Sequence, residues 1–273
     1  MSLPVRRWQD LTWTDFAGLD REATVAVLPV AAIEQHGPHL PLDVDARINS
    51  GLLEAALDRL PEHVPVLVLP MQPVGTSAEH AAFPGTLSLS ASTLAAVWTE
   101  LARSVHAAGV RKLVIFNSHG GQAALARVVA QDLRSRLSML VVVASTYAFG
   151  EPEGLFPEEE WRHGIHAGAA ETSLMRHLAP ASVREDRIAA FRPASIDLET
   201  QARELRFHGR VSLAWSTQDL HPSGACGDAT LATAEAGRRM IEVAAPRIAR
   251  LLAEFSAYPV GALRAGPSAS DEG

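Results

Sequence analysis

The chain has 273 residues, a formal net charge of −7 and a sequence pI near 5.9. Hydrophobic residues make up 47% and charged residues 20%, the balance of a globular chain long enough to bury a sizeable core. The acidic balance argues against a nucleic-acid-binding surface, no apolar run is long enough to span a bilayer, and a single cysteine, Cys226, excludes both an intramolecular disulfide and a Cys-rich zinc site.

The amino-terminal residues lack the apolar core of a secretory signal, so a cytoplasmic location is expected. A short helix is expected over Thr14–Leu19, followed by a buried strand over Thr24–Val30. A loop dense in Glu, His and Asp comes next, and a helix over Ala46–Leu60 follows it, with Ile48, Leu52, Leu53, Ala56 and Leu60 near helical spacing. Val64–Leu69 reads as a second strand, ended by Pro70, and Met71–Gly85 as a polar loop. Ser90 or Ser92 caps a long helix that runs to about Ala108, where Gly109 stops it. A strand over Lys112–Phe116 leads into the turn Asn117–Gln122, a helix to about Leu137 and a strand over Met139–Ala144.

This alternation implies an α/β fold of three α/β/α layers around a mostly parallel sheet. Tyr147–His163 reads as loop, including the acidic run Glu158–Glu160, and Ala169–Leu178 reads as a helix. Ile188–Trp215 gives no clear pattern. Asp228–Phe255 reads as a final long helix, and 259–273 as a flexible tail after a single domain over 1–258.

The chemistry concentrates in Glu34-Gln35-His36-Gly37-Pro38-His39-Leu40-Pro41-Leu42-Asp43-Val44-Asp45, at the end of the first strand. In extended chain, residues two apart face the same way, so Glu34 and His36 can converge on one point. Carboxylate and imidazole are ligands of divalent cations. Asp45 alone would more often be a helix cap; beside Glu34 and His36 it reads as a third ligand. His39 is read as support for the ligands, and Asp43 as a cap or a solvent-facing group. His119 ends the third strand at the same edge of the sheet, where open α/β sheets bind ligands. His166 is a candidate general acid or a stabiliser of developing negative charge. Glu171, in the first turn of its helix, is a ligand, a general base or a carboxylate favoured there by the helix dipole. Glu79 and His80 are expected in the surrounding shell, with Trp215 and Tyr147 as pocket walls. No Gly-x-Ser-x-Gly nucleophile elbow is present.

Glu34–Pro41 with Asp45, Glu79-His80 with Phe83-Pro84-Gly85-Thr86, Asn117-Ser118-His119-Gly120-Gly121, His166-Ala167-Gly168 with Glu171-Thr172-Ser173, and Gly227-Asp228 together resemble the creatininase (creatinine amidohydrolase) family. The resemblance runs from about Thr24 to Glu254. It implies a homo-oligomer, often a hexamer, and one or two divalent cations, Zn²⁺ with Mn²⁺ or Fe²⁺ as alternatives. It implies hydrolysis of a C–N bond of amide, lactam or formamide type in a small molecule, other than a peptide bond, by a metal-activated water. By motif, Glu34 and His36 belong to different metals, Asp45 bridges them, His119 completes the first, and His166 matches the catalytic histidine. True creatininases carry Tyr-Glu after the third-motif histidine, and that Glu binds the second metal; here Gly120-Gly121 stand there. Glu171 is one source of the missing carboxylate, and a weak or empty second position is the other outcome. Opening of a cyclic ketone or lactone at a C–C or ester bond is an alternative reaction, and a non-catalytic small-molecule binder an alternative role.

Overall fold

Short apolar runs rich in Val, Ile and Leu, separated by amphipathic segments, build a parallel sheet covered on both faces. The computed structural model describes residues 5–264 except Glu151 and Arg210. Strands β1 (Val25–Val30), β2 (Val66–Val68), β3 (Lys112–Asn117) and β4 (Leu140–Ser145) form a four-stranded sheet in the order β2-β1-β3-β4, all parallel. Val25 pairs with Lys112 and Val66, and Val30 with Asn117, so β1 and β3 end level with each other.

Alternate residues of β1 and β3 face opposite layers. Val25, Val27, Val114 and Phe116 pack with helices α1 (Val44–Leu57), α5 (Ala169–Leu178) and α8 (Ala234–Ala257). Ala26, Leu28, Val30, Leu113 and Ile115 pack with α2 (Ala91–Ala107) and α3 (Ala123–Leu137) around the buried Trp98. These are the three expected layers. Pro29 sits in a central strand, where a missing N–H is usually costly. Odd-numbered residues of β1 bond on the β2 side, where Leu69 N–H reaches Val27 O at 2.8 Å, and β2 has stopped at Val68 before a donor at Pro29 would be needed.

The single lysine, Lys112, is 1% exposed and donates to the Ser256 carbonyl at 2.5 Å, tying the start of β3 to the end of α8. Ser90 caps α2 by accepting from the Thr93 backbone at 3.2 Å, and Gly109 follows the helix with φ of 90°.

Several segments differ from the sequence reading. Within Tyr147–His163, residues Glu158–His163 form helix α4; the acidic run is its first turn, beside the positive end of the helix dipole, with Arg162 and His163 in its last. Ile188–Trp215 contains strand β5 (Ala190–Phe191) and helix α6 (Ala194–Gln201). A short helix α7 (Thr217–Leu220) follows, and β5 pairs antiparallel with β6 (Gly227–Asp228). The last helix therefore begins at Ala234, not Asp228: the Asp228 backbone is spent on the β5 pairing, and Thr233 caps α8 by accepting from Ala236 N–H. Val260 is buried within a turn of 3-10 helix at Val260–Ala262, so the first residues of the expected tail pack on the domain; 265–273 lie outside the described residues.

Candidate active site

With the order β2-β1-β3-β4, the chain leaves β1 towards one edge of the sheet and later returns to β3 on its other side. Such a reversal opens a crevice beyond the carboxyl ends of the two strands. Asn49 of α1 holds that point by donating to a carbonyl near the end of each, Val30 at 3.2 Å and Phe116 at 2.9 Å. The Glu34–Asp45 loop leaves from β1 and His119 from β3.

Gly37 turns the loop with φ of 66°, and a Cβ there would press to 2.8 Å on Ala225. In the β3 turn, Asn117 donates to the His119 carbonyl at 2.6 Å and accepts from His119 N–H at 3.2 Å and Gln122 Nε2 at 2.8 Å. His119 Nε2 donates to the Thr76 carbonyl at 2.9 Å, which leaves Nδ1 facing the crevice. His36 Nδ1 is likewise committed to the Glu34 carbonyl at 3.1 Å, leaving Nε2 inward.

These inward atoms meet. His119 Nδ1 lies 3.2 Å from Glu34 Oε1 and 3.4 Å from Asp45 Oδ2. His36 Nε2 lies 3.5 Å from Asp45 Oδ1 and 3.7 Å from Glu171 Oε2. Two ligands each about 2.1 Å from one cation, at the tetrahedral angle, stand about 3.4 Å apart. Glu34 Oε2, His36 Nε2 and Asp45 Oδ2 are buried with no hydrogen-bond partner among the described residues. Orphaned polar atoms of this kind are costly unless something charged satisfies them. Two groups with the reach to hold a divalent cation result: Glu34, Asp45 and His119, and His36, Asp45 and Glu171. Asp45 belongs to both. A third group, Glu34, His36 and His166, borrows one residue from each and so overlaps the same centre.

The electrostatics carry the same excess of negative charge. Burial disfavours a charged His36, yet the carboxylates of Glu171, Asp45 and Glu34 outweigh it and raise its pKa to about 9. His119 is raised well above its ordinary value for the same reason, by Glu34 and Asp45 against burial. Burial pushes Glu34 upward, but His119, His80 and His166 hold it below the usual carboxylate range. The cradle thus binds protons where a cation would replace them.

His166 lies between His36 and His80, its ring tilted against both with centroids 4.2 and 4.3 Å away. Its Nε2 donates to the Gln35 carbonyl at 2.6 Å, so Nδ1 faces the cluster, 3.9 Å from Glu34. Glu171 accepts from Tyr147 Oη at 2.7 Å and Ala167 N–H at 2.6 Å. His80 Nε2 approaches Glu34 at 3.4 Å, and burial with the neighbouring histidines lowers its pKa to about 2. Glu79 Oε1 stands 3.5 Å from the outer nitrogen of His119, and burial raises its pKa. His39 bonds Thr172 Oγ1 at 2.9 Å and stacks on Phe191, supporting the loop from behind. Asp43 precedes α1 but makes no side-chain cap bond; its carboxylate pairs with Arg47 at 2.8 Å. Trp215 donates its indole N–H to the Phe207 carbonyl at 2.6 Å, and its near neighbour Thr217 is the one that reaches His80, at 2.9 Å.

Gln35 was overlooked in the sequence. It is 5% exposed, and its amide bonds His80 at 2.7 Å, the Gly224 carbonyl at 2.9 Å and Gly37 N–H at 2.9 Å. Alternation along the extended segment points it away from Glu34 and His36, towards the shell that holds them. A polar residue between two ligands in an apolar context is the signal that marks it.

The profile of the family described as "Creatininase: Creatinine amidohydrolase" matches residues 9–252. A "Mycofactocin precursor peptide peptidase" of Mycobacterium tuberculosis is 34% identical over 244 residues, covering 87% of this chain and 88% of that protein. A "Creatinine amidohydrolase" of Pseudomonas putida is 32% identical over 204 residues, covering 68% of this chain and 76% of that protein. A solved structure described as "Creatininase Mn" superposes with a TM-score of 0.76 at 26% identity, covering 93% of this chain and 99% of that one.

Proposed function

The chain belongs to the creatininase family, and from that premise we propose that it is a metal-dependent hydrolase that cleaves an amide-type C–N bond. The observation that carries the reading is the pair of carboxylate–histidine groups sharing Asp45, spaced 3.2–3.7 Å and holding three unpartnered buried atoms. A divalent cation bound there supplies a Lewis acid for the carbonyl and a water acidic enough to act as nucleophile at neutral pH.

The chain's own residues do the rest. Glu34, Asp45, His119, His36 and Glu171 hold the charge and fix its place. Both oxygens of Glu171 already accept hydrogen bonds, which makes it a rigid ligand and leaves the proton work to His166. With Nε2 pinned to Gln35, His166 takes a proton at Nδ1 and delivers it to the leaving nitrogen. The Gln35 carbonyl and the His80 ring keep that ring in place, and the Thr76 carbonyl orients His119 from outside.

The sequence reading expects a bond other than a peptide bond. A relative named for peptide cleavage, matched over 87% of this chain, favours instead an amide in a small or peptide-like molecule. The resemblance also supports a homo-oligomer, for which light scattering gives the mass. The activity is tested by stripping metal with a chelator and restoring Zn²⁺ or Mn²⁺. Creatinine, lactams, formamides and short peptides are then offered, and the products are identified by mass. Chelator-sensitive hydrolysis of the amide C–N bond of at least one class is expected, with a new carboxylate and its nitrogen freed as an amine or, from creatinine, as a guanidine. Its absence from all of them overturns the reading, and a new carboxylate from a cyclic ketone or lactone alone points to C–C or ester cleavage.

A further inference from the structure

Resting on the metal-binding reading above, we propose that Tyr147 is a positioning residue that fixes Glu171 as the carboxylate of the second cation position. The pair does from two separate elements what the third motif, with Gly120-Gly121, no longer does from one turn.

With glycine at 120 and 121, that turn offers no carboxylate of its own. A Cβ at Gly121 would collide with the Glu79 carboxylate and stand 2.7 Å from His119 Nε2. Glycine is what lets Glu79 lie against His119, so a ligand for the second position has to come from elsewhere. Glu171 comes from the first turn of α5, and its Oε2 reaches to 3.7 Å from His36 Nε2.

A glutamate has three side-chain torsions, and Glu171 is held at both oxygens. Ala167 N–H donates to Oε2 at 2.6 Å from a turn in which Ala167 adopts φ of 54°, a conformation that L side chains rarely take. Tyr147 Oη donates to Oε1 at 2.7 Å. Each oxygen keeps a second lone pair, so these bonds restrain the carboxylate without exhausting it.

Tyr147 is placed for this contact and not for burial. It lies just past β4, the neighbour of β3, and so at the crevice end of the sheet. Tyrosines commonly bury the ring and let the hydroxyl reach water. Here the residue is 43% exposed while the hydroxyl is spent on the buried Glu171. The side chain also lines a small cavity of about 30 Å³ with Leu52, Trp161, Leu174 and Met240.

The test is a calorimetric titration of the chelator-stripped, full-length protein with Mn²⁺, comparing wild type, Tyr147→Phe and Glu171→Gln. Wild type is expected to bind two equivalents. In Y147F the Kd of one equivalent rises about 10–100-fold, as for loss of a partner that orients a ligand, while the other is unchanged. E171Q weakens the same equivalent further. Electron paramagnetic resonance of the samples given two equivalents reads the split independently: a spin-coupled pair in wild type, an isolated Mn²⁺ signal in Y147F. The phenyl ring keeps the exposed wall in place, and the unchanged equivalent reports a folded site in the same isotherm. Wild-type affinities in Y147F, with one equivalent lost in E171Q, overturn the positioning role and leave the metal reading standing. Equal weakening of both equivalents in Y147F also overturns it. A wild type that binds fewer than two equivalents removes the reading on which it rests.

Discussion

Asp45→Asn is the substitution that probes the shared centre most sharply. It keeps the shape of the side chain and removes the charge that both ligand groups use. At a metal concentration about 1,000-fold above Kd, binding to one site stabilises the folded state by about 4.1 kcal/mol. For a domain of this size each kcal/mol moves Tm by about 2–4 °C, so the shift on adding metal is about 8–16 °C for one site and more for two. Loss of a charged ligand that weakens binding about 100-fold leaves about 1.4 kcal/mol, or about 3–6 °C. The assay is thermal unfolding of chelated and Zn²⁺- or Mn²⁺-loaded protein, taking the difference within each variant so that any change in the metal-free fold cancels. Asp45 lies 3.5 Å from His36 and 3.4 Å from His119, so the loss should extend to both equivalents in a binding isotherm. A variant that keeps the wild-type metal shift would refute the placement of Asp45 between two cations.

Two further outcomes follow from the geometry. His36 is held at about pKa 9 against 6.5 unfolded, so its protonation stabilises the metal-free fold fully below about pH 6.5, and that contribution, up to about 3 kcal/mol, is lost as pH rises through 9. A bound cation replaces the proton, so the stability gained on adding metal should grow from pH 6.5 to 9 in denaturant titrations; parallel curves with and without metal would contradict this. Glu160 is 8% exposed and accepts from Ala169 N–H and Asp228 N–H, each at 2.7 Å, tying α4 to α5 and β6. Glu160→Gln places an amide donor against one of those N–H groups, with an expected loss of about 1–3 kcal/mol, read as a lower Tm.

The strands and long helices were legible because their signals are local. Buried apolar runs mark β1 and β3, and Ser90 and Gly109 bracket α2. The loop of candidate ligands stood out because Glu34, His36 and Asp45 fall within twelve residues of one another. What escaped depends on contacts distant in sequence. Tyr147 reads as a pocket wall until α5 brings Glu171 to its hydroxyl, and Gln35 reads as filler until His80 and Gly224 surround it. Glu158–Glu160 resembles a solvated acidic loop because one and a half turns of helix carry no periodicity of their own; the buried Glu160 makes them a helix start. The two-residue strands β5 and β6 have no pattern to read, being defined only by each other.

Anomalous scattering from crystals of the metal-loaded protein tests the central claim most directly. Two peaks are expected on either side of Asp45, one against Glu34 and His119 and the other against His36 and Glu171. Absence of any peak at this cluster, or a single peak that Asp45 does not touch, would contradict the account.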